Sequence, residues 1–122
     1  MTDIVTYVLT DGVAVITMDD GKANAMSLAL QQAIHAALDQ AERDAAPVVL
    51  AGRPGILSAG FDLKTLAASG QPAVDMLNGG LELAIRLLSF PHPVVIACGG
   101  HAIAMGVFVL LCGDYRIGVR GN

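Results

Sequence analysis

Tryptophan is absent, and aromatic residues make up only 4% of the chain. Charge is also thin, at 15% of residues, with a formal net charge of −4. Acidic and basic side chains are scattered, without a Lys/Arg cluster. A chain with neither a basic stripe nor a stacking platform is not expected to hold nucleic acid. Cysteine is limited to Cys98 and Cys112, with no C-x-x-C, so redox and zinc motifs are not supported. Both lie in apolar runs, which predicts buried thiols in a reducing cytoplasm, with a disulfide as the alternative. His35, His92 and His101 have no ligand partners at metal spacing, and no metal site is expected. The N-terminus, Met1-Thr2-Asp3-Ile4, lacks the basic-then-apolar layout of a signal peptide. A cytoplasmic location is therefore the expectation. No G-x-G-x-x-G occurs, and Gly60 is followed by Phe61-Asp62 rather than Lys-Ser/Thr, so no nucleotide motif is present.

What the chain does have is apolar residues: 54% of 122. That suits one domain with a modest core and excludes disorder. It is rather apolar for a free-standing monomer. Either much of the surface meets partners, or the chain is part of something larger. Residues 93–112 are apolar enough to suggest a membrane span, with His101 as the only strongly polar side chain. Yet Pro93, Gly99, Gly100 and Gly106 interrupt them, and basic flanks and an aromatic belt are missing. A strand, a turn and a buried helix explain this segment better, and no membrane is expected.

Hydrophobic patterning predicts a hairpin of strands 4–9 and 13–18 around Asp11-Gly12. Val13, Val15 and Thr17 take one face of the second arm, and Ala14, Ile16 and Met18 the other. After a loop at 19–25, Ser27 caps a helix with Leu30, Ile34, Ala37, Leu38 and Ala41 on one face. Residues 48–51 read as a strand buried on both faces. Residues 52–60 read as a loop, and Asp62 caps a short helix to about residue 68. Pro72 opens a longer helix in which Val74, Leu77, Leu81, Ile85 and Leu88 recur at helical spacing. Gly79-Gly80 weakens it, and Glu82/Arg86 is an i,i+4 surface pair. A strand at 94–98, a turn at Gly99-Gly100, a helix at 105–113 and a strand at 115–119 follow. Strands separated by helices imply parallel pairing through right-handed crossovers.

Two strand-to-helix junctions stand out: Ser58-Ala59-Gly60-Phe61-Asp62-Leu63, and residues 99–106, Gly-Gly-His-Ala-Ile-Ala-Met-Gly. Small residues before a helix let another group approach the first N–H groups, which lack internal partners. The helix dipole favours negative charge there. Two such junctions facing each other could grip one carbonyl oxygen, an arrangement worth ~3 kcal/mol per donor in a transition state. The plainer explanation is close packing of helices on a sheet.

Lys22-Ala23-Asn24-Ala25-Met26-Ser27, then Ser58 to Leu63, then residues 93–114 resemble three successive signatures of the crotonase (enoyl-CoA hydratase/isomerase) superfamily, in matching order and intervals. The resemblance covers essentially the whole chain. It implies an α/β fold, a spiral of ββα units with parallel sheets and flanking helices, of which residues 1–122 form the N-terminal part of a single domain, truncated before the C-terminal helices. It implies an acyl-CoA substrate, no cofactor beyond that coenzyme A, and a homotrimer or homohexamer. By motif position, the N–H groups of Phe61 and Met105 would hold the thioester oxygen. Lys22, Ala23, Ala25, Ala59, Gly60, Asp62, Leu63 and Lys64 would line the coenzyme A side.

The sequence departs from the family pattern at the second loop, usually Gly-Gly-Gly and here Ala104-Met105-Gly106. The Met105 side chain must leave the pocket or narrow it. Phe108 stands where hydratases of the family usually carry a catalytic glutamate, and it cannot move a proton or orient water. Family members are about twice as long, and their second carboxylate would lie beyond Asn122. Isomerisation is therefore favoured over hydration, with a non-catalytic acyl-CoA binder as the alternative. Asp62 reads more readily as a helix cap than as an acid, Lys22 and Lys64 are open to reading as solvated lysines, and His101 is better explained as a packed or exposed side chain than as a catalytic histidine. Asp75 and Glu82 are outside candidates for a base, and Asp114 reads as structural.

Overall fold

The computed structural model describes residues 3–120. In chain order the elements are β1 (Val5–Thr10), β2 (Val13–Met18), α1 (Leu28–Arg43), β3 (Val48–Ala51) and β4 (Gly55–Ser58). Then come α2 (Leu63–Ala68), α3 (Gln71–Leu88), β5 (Val94–Cys98), β6 (Gly100–Ala102), α4 (Met105–Leu111) and β7 (Tyr115–Gly118). One sheet has five strands in the order β1-β2-β3-β5-β7, and a second pairs β4 with β6. β1 and β2 are antiparallel, and the other pairings within these sheets are parallel.

The hairpin forms as its sequence dictates. Asp11 and Gly12 both have positive φ, which matches the right-handed twist of the flanking strands. β2 alternates, with Ala14, Ile16 and Met18 buried. The Ser27 hydroxyl accepts from the Leu30 N–H at 3.2 Å and starts α1, which lays Leu30, Ile34, Leu38 and Ala41 on the sheet. Tyr7 ties β1 to the end of that helix through a 2.7 Å hydrogen bond to the Asp44 carboxylate. Desolvation, then that bond, pushes the Tyr7 phenol up to about 12. Asp114 joins β5 to β7, accepting the Val94 N–H on its carboxylate at 2.7 Å, so its expected structural role holds.

Several expectations need correction. β3 buries Val48 and Leu50 but leaves Val49 and Ala51 only partly covered, so one face is buried rather than both. The supposed loop at 52–60 contains β4, and the Gly99-Gly100 turn leads directly into β6. These two strands make their own small sheet across a long sequence separation. α4 is buried on one side only, at Met105, Gly106 and Val109.

The largest reversal is in α3. Its predicted stripe of Val74, Leu77, Leu81, Ile85 and Leu88 is exposed, and Ala73, Met76, Gly80, Leu83 and Leu87 face the core instead. Two apolar stripes lie side by side on this helix, each at helical spacing, and periodicity alone cannot rank them. The small residues decide, because Gly79 and Gly80 admit Gln31 and Phe61 against the helix backbone. Gln31 is buried and donates to the carbonyls of Met26 and Met76 at 3.0 and 2.9 Å. Arg86 does not pair with Glu82. It reaches across to α1 and meets Asp39 at 2.6 Å and Glu42 at 3.0 Å. Among the described residues no helix is long and apolar enough to cross a membrane.

Candidate functional site

Segments 20–26, 58–61 and 103–106 come together at one end of the sheets. The first is wound around Asp20, whose carboxylate accepts the N–H groups of Lys22 at 2.7 Å and Asn24 at 3.0 Å. Asn24 is buried at a φ of 51°. Its amide donates to the carbonyls of Met18 at 2.9 Å and Leu57 at 3.1 Å, so it fixes the loop to both sheets. The Ala59 N–H donates to Ala23 O at 2.9 Å, and the Met26 N–H to Gly60 O at 2.8 Å. Arg53 adds a bond from Nη1 to Lys22 O at 2.7 Å and an ion pair to Asp19 at 3.4 Å. The loop that carries Lys22, Ala23 and Ala25 is thus bonded to the segment that carries Ala59 and Gly60.

The second and third segments touch at Gly60. Its φ is 96°, a region that favours glycine. A Cβ there would stand 3.0 Å from Ile103 O, 3.1 Å from Ala104 Cβ and 3.3 Å from Met105 N. The backbone that immediately precedes the Phe61 N–H is therefore packed against the Met105 amide. Neither the Phe61 N–H nor the Met105 N–H donates to another group among the described residues. Ala104, just before Met105, has a φ of 52°, which strains a residue with a Cβ.

The side chains of these two residues turn inward. Gly80 of α3 lacks a Cβ where the Phe61 ring and the Met105 terminal methyl would otherwise meet one. Met105 is only 3% exposed, so its side chain leaves for the core beneath α3. It also forms part of one wall of an apolar groove of about 270 Å³ between α3 and α4, lined by Leu81, Ala84, Leu88, Phe108, Leu111 and Cys112. Phe108 is 61% exposed on that groove, which has no carboxylate among these lining residues. A larger hollow of about 500 Å³ lies elsewhere, beside β1 and residues 19–21. None of the predicted site residues lines it.

The remaining predicted residues sit at the rim. Lys22, Leu63 and Lys64 are exposed. Asp62 is the N-cap of α2, but its carboxylate accepts the Thr65 hydroxyl at 2.6 Å rather than closing a cap bond on the backbone. That hydroxyl, helped by nearby N–H groups of Thr65 and Lys64, holds the acid below the usual carboxylate range. His101 is exposed. His35 is half-buried beside Arg86, and desolvation followed by that positive charge lowers its pKa. Among the described residues no group of three or more His, Cys, Asp or Glu could hold a metal ion. Sequence reasoning missed Asp20 and Arg53, and it quoted Asn24 and Ser58 without giving either a role. The available signal was polar residues flanking small ones inside otherwise apolar motifs.

The enoyl-CoA hydratase/isomerase family profile matches residues 9–120. A probable enoyl-CoA hydratase of Bacillus subtilis is 31% identical over 109 residues, which cover 86% of this chain and 42% of that protein. Among solved structures, a probable enoyl-CoA hydratase from Mycobacterium tuberculosis superposes with a TM-score of 0.91 at 58% identity, over 93% of this chain and 49% of that one. A second structure of that same M. tuberculosis protein, there described as an enoyl-CoA isomerase, gives 0.90 at 58% identity, over 95% and 51%. The chain belongs to the enoyl-CoA hydratase/isomerase family, within the crotonase superfamily. Its mixed α/β architecture is the one the three signatures implied. It spans about half the length, or less, of these relatives.

Proposed function

We propose that the whole protein binds an acyl-CoA thioester and stabilises its enolate with the main-chain N–H groups of Phe61 and Met105. The observation that carries this reading is the contact at Gly60, which brings the backbone of one junction against the amide of the other while both N–H groups lack partners among the described residues. Fixed donors of this kind act where charge develops, on the thioester oxygen, and need no side-chain chemistry. Lys22, Ala23, Ala25, Ala59, Gly60, Asp62, Leu63 and Lys64 form the coenzyme A side, and no cofactor beyond that coenzyme is required.

Double-bond isomerisation suits the site better than hydration. A 3-enoyl thioester loses a proton from C2, its charge passes to the thioester oxygen, and a proton returns at C4. One carboxylate outside this chain can carry that proton. Hydration by a pair of glutamates is disfavoured because Phe108 occupies an apolar wall. Homotrimeric or homohexameric assembly accords with the exposed apolar stripe of α3.

The test is to assay the whole protein with crotonyl-CoA and with a 3-enoyl-CoA. Turnover of the 3-enoyl ester alone is expected. Tight binding with no turnover of either ester would favour the non-catalytic binder, which the lack of a carboxylate in the groove also fits. Failure to bind any coenzyme A ester would remove both readings.

A further inference from the structure

We propose that Ser58 is a positioning residue that sets the spacing of the Phe61 and Met105 N–H groups. This inference rests on the oxyanion reading above. Ser58 is fully buried and holds both junctions with separate atoms. Its hydroxyl donates to Asn24 O at 2.7 Å and accepts the Gly60 N–H at 3.1 Å. Its carbonyl accepts the Ile103 N–H at 3.0 Å. Gly60 immediately precedes Phe61, and Ile103 lies two residues before Met105. One residue therefore anchors the approach to each donor.

The grip has little slack. The hydroxyl hydrogen is committed to Asn24, so only lone pairs face Gly60, and they fix the direction of its N–H. Gly106 closes over the other side, where a Cβ would collide with the Ser58 carbonyl and stand 3.2 Å from Ser58 Cβ. Deleting Oγ leaves the Gly60 N–H and Asn24 O buried without these partners. Gly60, at positive φ, then keeps only the Met26 N–H on its carbonyl as a hydrogen-bonded tether, and the peptide plane that carries the Phe61 N–H loses the second restraint that fixed its tilt. Donors to a developing oxyanion must lie within roughly 2.7–3.1 Å of it, so a small turn is enough to lose the effect.

The experiment compares the whole wild-type protein with Ser58→Ala, Ser58→Cys and Val48→Ala. Val48→Ala is a control, a core truncation on β3 outside both junctions. The probe is butyryl-CoA carrying carbon-13 at the thioester carbonyl, read by difference infrared spectroscopy, alongside kinetics with a 3-enoyl-CoA. Wild type is expected to lower the carbonyl stretching frequency on binding. Ser58→Ala should lose at least about half of that shift and about tenfold in kcat, with affinity for free coenzyme A within about twofold. Ser58→Cys, which keeps the volume but weakens both hydrogen bonds, should fall between. Val48→Ala should lose stability and keep the shift.

Retention of the full shift and kcat by Ser58→Ala overturns the proposal. So does an equal loss in Val48→Ala, or failure of both Ser58 variants to fold, since either makes the effect one of general stability. A wild-type protein that binds the ester without any shift has a different fault. The oxyanion reading then fails, and the role of Ser58 falls with it.

Discussion

β2 and α3 are both apolar and regularly patterned; the alternation of β2 leaves the choice of buried face open, and the stripe picked out on α3 is the wrong one. β2 offers Val13, Val15 and Thr17 on one face and Ala14, Ile16 and Met18 on the other; the second set is buried and the first only partly covered. α3 has two adjacent stripes, and the bulkier one is turned outward, with Leu81 and Leu88 61% and 67% exposed. A strand has only two faces to choose between, and neighbours on both sides of the sheet settle which is covered. On a helix with two stripes, the fit of the neighbours decides, and here Gln31 and the Phe61 ring require the glycine side.

The largest expected effect comes from pairing substitutions across this contrast. Ile16→Ala should destabilise the chain by about 4 kcal/mol, and Ile85→Ala on the outward stripe by less than about 0.5 kcal/mol, measured by urea unfolding. Comparable losses would mean that the outward stripe is covered in solution. Asn24→Ala should come next, at about 2–3 kcal/mol. It strips the hydrogen bonds to Met18 O and Leu57 O and places alanine at positive φ. A weaker grip on coenzyme A should accompany it in a binding titration, because the segment holding Lys22 and Ala25 loses its anchor.

Ala104→Gly should act in the opposite direction, raising stability by about 1 kcal/mol by relieving a φ of 52° while the Met105 N–H stays in place. Thermal unfolding reads the gain, and unchanged kcat is the companion expectation. The smallest effect concerns His35, whose pKa burial and then Arg86 lower from 6.5. The unfolded chain takes up this proton before the folded one does. Stability is therefore full above pH 6.5 and falls as pH drops through 6.5 toward the lowered folded value. In His35→Gln the fall in Tm between pH 7.5 and 5.5 should be shallower than in wild type. Equal slopes would remove His35 from the contact between α1 and α3.

Local chemistry made much of the fold legible. Asp11-Gly12 announced the hairpin, Ser27 the start of α1, and residues 94–98 gave β5 its exact bounds. β4 and β6 were hidden because they are short and glycine-bearing, and each is a strand only by virtue of the other. Arg86 was paired with the wrong acid because Glu82 is near in sequence, whereas Asp39 and Glu42 are near in space. At the candidate site, small residues before α2 and α4 advertised the two amides. The polar scaffold of Asp20, Asn24, Arg53 and Ser58 was harder to read, since those bonds go to backbone atoms that no residue type encodes.

Gly80 has a mechanical consequence. Its bare backbone is a common bearing surface for the Phe61 ring and the end of the Met105 side chain. A tilt of α3 would therefore press on both side chains at once, and a side chain larger than hydrogen at position 80 would displace the pair together.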